Sequence, residues 1–199
     1  MKGLDADSEW EELKSEMKKQ LRIYLDSPKF KSNVEKVNPA SSELVMHLQD
    51  MSTLMGMTKR EDGGREIATI LVAVFLWNYE TFYMFFVDYF CHVLVANGHD
   101  LFNSFKRKYA VSFADIGEVD AATKLGFLDE HNLRGFNRKQ DRELRNKIAH
   151  HDFLLDETGK IRIDGVEINV FSRHQDLMNF VIKVLFTFCE CLEEIGNPK

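Results

Sequence analysis

Cysteine, proline and positive charge in excess are what this sequence lacks. Its 199 residues hold 3 cysteines, an odd number. Cys91 stands alone, and Cys189 and Cys191 are separated by one residue, which on a helix turns them about 200° apart. That spacing suits neither a shared metal nor a disulfide, so three reduced, largely buried thiols are expected. With only 3 prolines and 11 glycines, long stretches run without a breaker, which favours helices. A net charge of −6 excludes a protein that coats nucleic acid indiscriminately, while leaving room for a local basic site. The acidic, amphipathic start has no signal-peptide core, and a cytoplasmic protein is expected. Apolar residues at 44% and charged residues at 29% match a globular chain, so one soluble domain over 1–199 is expected.

One segment is long enough to test for a membrane span. Residues 67–96 are strongly apolar, but Asn78, Glu80, Asp88 and His92 interrupt them, and the flanks lack an asymmetric pair of basic loops. The uninterrupted part, Ile67 to Trp77, reads as a buried core helix, and no membrane partner is expected. The aromatic residues from Phe75 to Phe90 are too apolar for a base-stacking platform and read as core or dimer interface.

Along the chain, Ser8 and Glu11 form a capping-box pattern ahead of Trp10, Leu13, Met17, Leu21 and Tyr24, which predicts a helix over 8–25. Further helices are expected at 41–55, 65–96, 101–109, 113–125 and 138–151, with a charged turn at 59–66 and a loop over 126–137. Asn97–Gly98 closes the apolar helix. Residues 160–170 alternate around Asp164–Gly165, a hairpin turn signal. Ser172 is expected to cap a final helix with Leu177, Phe180, Val181, Val184, Leu185 and Phe188 on its buried face.

Chemistry concentrates in residues 138–151, RKQDRELRNKIAHH. Between Arg134 and Lys147 six basic residues face two acidic ones, beside His150 and His151. Such a patch suits an anion or a phosphate. Arg142, Asn146 and His150 lie on one stripe, whereas Arg145 and His150 are five apart, about 140° around the helix. They converge through the reach of the arginine, a distorted last turn, or a second subunit facing the same helix; the last implies a symmetric dimer. A histidine can move a proton at a ribose 2′-OH or a 5′ leaving oxygen, and an arginine can hold the phosphate.

Arg145-Asn146-Lys147-Ile148-Ala149-His150, an Arg-x4-His motif with a polar residue after the arginine, resembles the HEPN superfamily. Many members are metal-independent RNases of toxin–antitoxin, abortive-infection and CRISPR effector systems. The resemblance implies an all-α, HEPN-like bundle, here with a small β-hairpin inserted near 160–170, and a homodimer with both motifs lining one cleft. It implies cleavage of single-stranded RNA to a 2′,3′-cyclic phosphate without metal or cofactor. By matching positions, Arg145 and His150 form the catalytic pair and Asn146 supports them. Arg138, Arg142, Lys147 and His151 are then candidate RNA-binding residues. An antitoxin or regulatory protein is a further expected partner. Asp152 stands where nucleotidyltransferase-paired HEPN toxins often carry a tyrosine.

Two other readings stay open: a catalytically silent HEPN module that binds nucleotide, RNA or a protein, and a scaffold whose basic helix only carries surface charge. Glu80 or Asp88 either orients Arg145, pairs with another helix or belongs to a solvent-facing polar stripe. His92 reads as a satisfied core histidine, and His47, His99, His131 and His174 show no metal spacing. Lys106-Arg107-Lys108 is a solvated face or, in an RNA-binding protein, a source of further phosphate contacts. No phosphate-binding glycine loop, Ser/His/Asp triad or GxSxG elbow is present.

Overall fold

A computed structural model describes residues 6–27, 64–99, 116–156 and 160–196. The helices expected at 41–55 and 101–109, and the Lys106–Lys108 run, lie outside the described residues. Of the described residues 77% are helical and a small antiparallel sheet accompanies them, so the class is mainly α with a β addition. The elements are α1 (Ala6–Leu25), α2 (Gly64–Asn78), a π-turn (Tyr79–Tyr83), α3 (Met84–Ala96), α4 (Ala121–Glu130) and a 3-10 turn (Arg134–Phe136). They continue as α5 (Lys139–Ala149), β1 (Leu154–Leu155), β2 (Ile161–Ile163), β3 (Val166–Ile168) and α6 (Val170–Gly196). The chain divides into two compact units.

The first unit holds α1, α3, α4, the 3-10 turn and α6 from Ile182 onward. In α1, Leu13, Met17, Leu21 and Tyr24 are buried at spacings of three and four, as the apolar periodicity requires. The helix starts at Ala6, so Ser8 lies inside it and is not the cap that the Ser8/Glu11 pattern suggested. On the polar face, Lys18 bridges Glu190 at 2.8 Å and Glu194 at 3.0 Å. Asn97 and Gly98 do end α3: Gly98 has φ +98°, Gly98 N–H bonds Val95 O, and His99 N–H bonds Leu94 O, a Schellman closure. The helix expected over 113–125 is interrupted: residues 116–117 are helical, 118–120 are not, and a new helix starts at Ala121, where Asp120 caps it by accepting from the Thr123 N–H at 2.9 Å. It runs on to Glu130, into the stretch expected to be loop. Phe90 packs on Phe136 with ring centroids 5.1 Å apart.

Asp88 of α3 meets Lys124 of α4 at 2.6 Å, with Lys124 almost fully buried. Burial pushes the Asp88 carboxyl up and Lys124 pulls it back. His92 is buried, its Nε2 3.2 Å from Tyr24 Oη, so it is a satisfied core histidine as expected. Cys91 and Cys191 are buried, and burial drives the Cys91 thiol above its usual range. Cys189 is exposed, which corrects the expectation of three buried thiols. Leu185 is exposed too, with Ile182, Phe186 and Leu192, so it does not belong to the buried face of α6.

The second unit holds α2, the π-turn, α5, the sheet and α6 as far as Val181. Phe75, Tyr79 and Tyr83 stack along its interior, Tyr79 and Tyr83 with centroids 4.7 Å apart. Leu144 and Ile148 bury one face of α5, and Ile161, Val170, Leu177 and Phe180 of the same unit are buried too. The expected hairpin is part of a three-stranded sheet: β1 pairs antiparallel with β2 (Leu155 opposite Ile161), and β2 with β3 (Ile163 opposite Val166). Asp164 (φ 50°) and Gly165 (φ 79°) make the turn with two left-handed residues. Asn169, rather than Ser172, caps α6, since its Oδ1 accepts the Ser172 N–H at 3.0 Å.

The stretch Gly64–Ala96 is helical throughout and long and apolar enough to cross a membrane, yet 56% of its most apolar 18 residues is buried within the protein.

Candidate functional site

The motif helix α5 is amphipathic because Asp141, Leu144 and Ile148 are buried while its charged residues line the rest of the cylinder. Its end is a second Schellman closure. His150 leaves the helical conformation at φ −93°, ψ 5°, and His151 adopts φ 58°. His151 N–H bonds Ile148 O at 3.0 Å and Asp152 N–H bonds Lys147 O at 2.8 Å. His151 thus fills the left-handed position usually given to glycine, and its side chain is exposed.

Arg145 is the organised residue of the motif. Its Nε donates to Glu80 Oε1, and Nη2 lies against the same oxygen. Nη1 donates to Asn146 Oδ1 at 3.0 Å. A guanidinium carries five N–H donors in a rigid plane, so these three contacts leave two donors uncommitted among the described residues. Arg145 is 33% exposed and Glu80 42%, so the group is reachable by a ligand. Asn146 also accepts the His150 N–H on its backbone oxygen at 3.0 Å, which ties the C-cap to the same residue that holds the arginine. The His150 ring is exposed and has no hydrogen-bond partner among the described residues.

Glu80 sits in the π-turn, where one extra residue per turn widens the helix, a distortion frequent at functional sites. Of the two carboxylates flagged in this apolar stretch, Glu80 thus reaches Arg145, and Asp88 pairs with another helix.

The other basic candidates divide. Arg138 is committed to Asp141 and lies over the Phe180 ring at 5.2 Å, only 22% exposed, so it anchors the start of α5 instead of standing free. Lys147 bridges Asp164 at 3.2 Å on the surface. Arg142 makes no ion pair or hydrogen bond through its side chain with a described residue. Its charge acts on Tyr79, whose buried hydroxyl has no hydrogen-bond partner among the described residues. Burial pushes the Tyr79 phenol up to about 12, while Arg142 draws it down and Glu80 opposes that. Tyr79 and Asp141 escaped the sequence reading: one was absorbed into an aromatic stretch, the other counted as mere charge. The spacing of Asp141 three residues after Arg138 was the available signal for the second.

Among the described residues no group of three or more metal-ligating side chains forms. Comparison with known proteins finds no matching family model, no similar curated protein and no similar solved structure.

Proposed function

We propose that this chain is a metal-independent endoribonuclease of the HEPN type, with Arg145 and His150 as its catalytic pair. The observation that carries the reading is the docking of Arg145: Glu80 holds Nε and Nη2, Asn146 holds Nη1, and the one-third exposed guanidinium keeps two further N–H donors for a phosphate oxygen. In the reaction a base removes the proton of the ribose 2′-OH, and the 2′ oxygen bonds to phosphorus. The bond from phosphorus to the 5′ oxygen breaks, and an acid gives that oxygen its proton. His150 at the exposed helix end serves as one of these groups, and a second copy in a homodimer supplies the other. Arg145 balances the charge that builds on the phosphorane oxygens. Toxin or defence roles, with an antitoxin or regulatory partner, suit such an enzyme, as does a cytoplasmic location.

Arg145→Ala and His150→Ala are each expected to abolish cleavage of single-stranded RNA in EDTA, with circular dichroism unchanged. Full activity in either variant sinks the reading. A second reading, a silent module that binds RNA, nucleotide or protein, is favoured by one feature: Glu80 already neutralises Arg145. RNA binding without turnover by the wild-type chain selects it.

A further inference from the structure

A cleft of about 480 Å³ opens in the second unit between α5, the β2–β3 hairpin and the start of α6. Its size falls within the roughly 300–1,000 Å³ of small-ligand sites. Leu144, Ile163 and Ile168 line it with aliphatic surface, and Gln140 offers an amide that both donates and accepts. The charges around it are unequal in commitment. Lys147 is tied to Asp164 at 3.2 Å, and Glu143 faces Lys139 at 3.8 Å. Arg173, half-buried in the cleft wall, forms no side-chain ion pair or hydrogen bond with a described residue. A half-buried guanidinium with no partner among the described residues, next to an apolar wall and one amide, suits an apolar group that carries an anion.

We propose that this cleft seats one nucleotide of a single-stranded RNA, the base against the aliphatic side chains with Gln140 at its edge and the phosphate on Arg173. The assignment rests on the ribonuclease reading of the motif helix and names where its substrate is held. The helix that carries Arg145 and His150 carries this wall as well: Gln140, Leu144 and Lys147 recur at spacings of four and three. Lys147 precedes His150 by three residues, about 4.5 Å of axial rise. His150 also lies only about 60° around the helix from Lys147, so a strand held at His150 passes beside the cleft within the span of a nucleotide, while Arg145, about 160° from Lys147, approaches from the other flank of α5. The β2–β3 hairpin, otherwise an unexplained addition to a helical chain, supplies two of the three aliphatic side chains.

The test uses the full chain and a fluorescein-labelled 2′-O-methyl oligoribonucleotide, which has no 2′-OH to attack and reports binding alone. Anisotropy titrations are run on the wild type, Arg173→Ala and Gln140→Ala across a salt series. Arg173→Ala is expected to weaken binding at least fivefold and to reduce the slope of log Kd against log salt by about 0.7, the loss of one single-strand phosphate contact. Gln140→Ala, an exposed helix position with no structural burden, is expected to weaken binding severalfold with the salt slope unchanged. Wild-type affinity in both variants overturns the cleft while leaving the nuclease to be judged on Arg145 and His150. Absence of binding by the wild type also overturns it. Binding that depends on Arg173, in a chain that never cleaves RNA, upholds the cleft and removes the nuclease.

Discussion

Glu80 and Arg145, 65 residues apart in the chain, hold each other across the second unit, and the carboxylate meets the Nε side of the guanidinium. An exposed pair of this kind is worth only about 0–1 kcal/mol to stability. Its consequence lies in direction, since a guanidinium held through Nε and Nη2, with Nη1 on Asn146, keeps its remaining donors in a fixed plane.

Glu80→Ala is therefore expected to separate stability from activity. The thermal midpoint should move little, while RNA cleavage falls by one to two orders of magnitude as Arg145 loses its orientation, a loss in the range of about 10²-fold that small misplacements cause. Equal activity in wild type and variant would show that Glu80 positions nothing.

The Asp88–Lys124 pair behaves in the opposite way. Asp88→Ala strands a nearly buried ammonium, and breaking such a pair costs about 3–5 kcal/mol. The double change Asp88→Leu with Lys124→Met should recover most of that loss in urea unfolding. A single variant as stable as wild type would mean that the pair is solvated.

Acidification gives a third outcome. His92 and His174 are buried, and burial lowers both below their ordinary value of 6.5. Each is neutral in the folded chain and takes a proton more readily when unfolded. The unfolded state binds more protons as pH falls below about 6.5, so stability is full above that value and declines beneath it. Glu190 and Glu194 are held below the carboxylate range by Lys18 and its neighbours Lys14 and Arg22, so their stabilisation is lost only at lower pH. Urea midpoints should therefore begin to fall between pH 6.5 and 5. Replacing both histidines by glutamine should flatten that part of the profile, and an unchanged slope in the double variant refutes the assignment.

His151 supplies the fourth. A residue with φ 58° and an exposed side chain is replaced by glycine at a gain, so His151→Gly should raise stability by up to about 1 kcal/mol. RNA cleavage by this variant reports whether the imidazole also touches substrate: unchanged rates assign His151 to the cap, and a large loss assigns it to the site.

What could be read from the sequence follows from range. Asn97–Gly98 and Asp164–Gly165 act within a few residues, and both turns form where their chemistry places them. The helix of the RNKIAH motif was legible for the same reason, ending within two residues of its expected limit. The π-turn was not: residues 79–83 are mostly aromatic and buried, so an extra residue per turn leaves no trace in a pattern that is apolar on nearly every side. The choice of Asn169 over Ser172 as cap, both being good capping residues, turned on where β3 ends. Glu80's partner depended on two helices meeting in space, and the cleft at Arg173 on a hairpin folding against α5. No local periodicity carries either.

The unequal burial of the three cysteines makes the chain its own labelling system. A maleimide or spin-label reagent needs access to the sulfur, which Cys189 gives at the surface, while Cys91 is both shielded and held in its thiol form. Brief treatment of the wild-type chain should place one label per copy without any engineered site. Pulsed dipolar spectroscopy between two such labels then measures the separation of α6 helices in a dimer directly, in a protein whose proposed site is half-built in each copy.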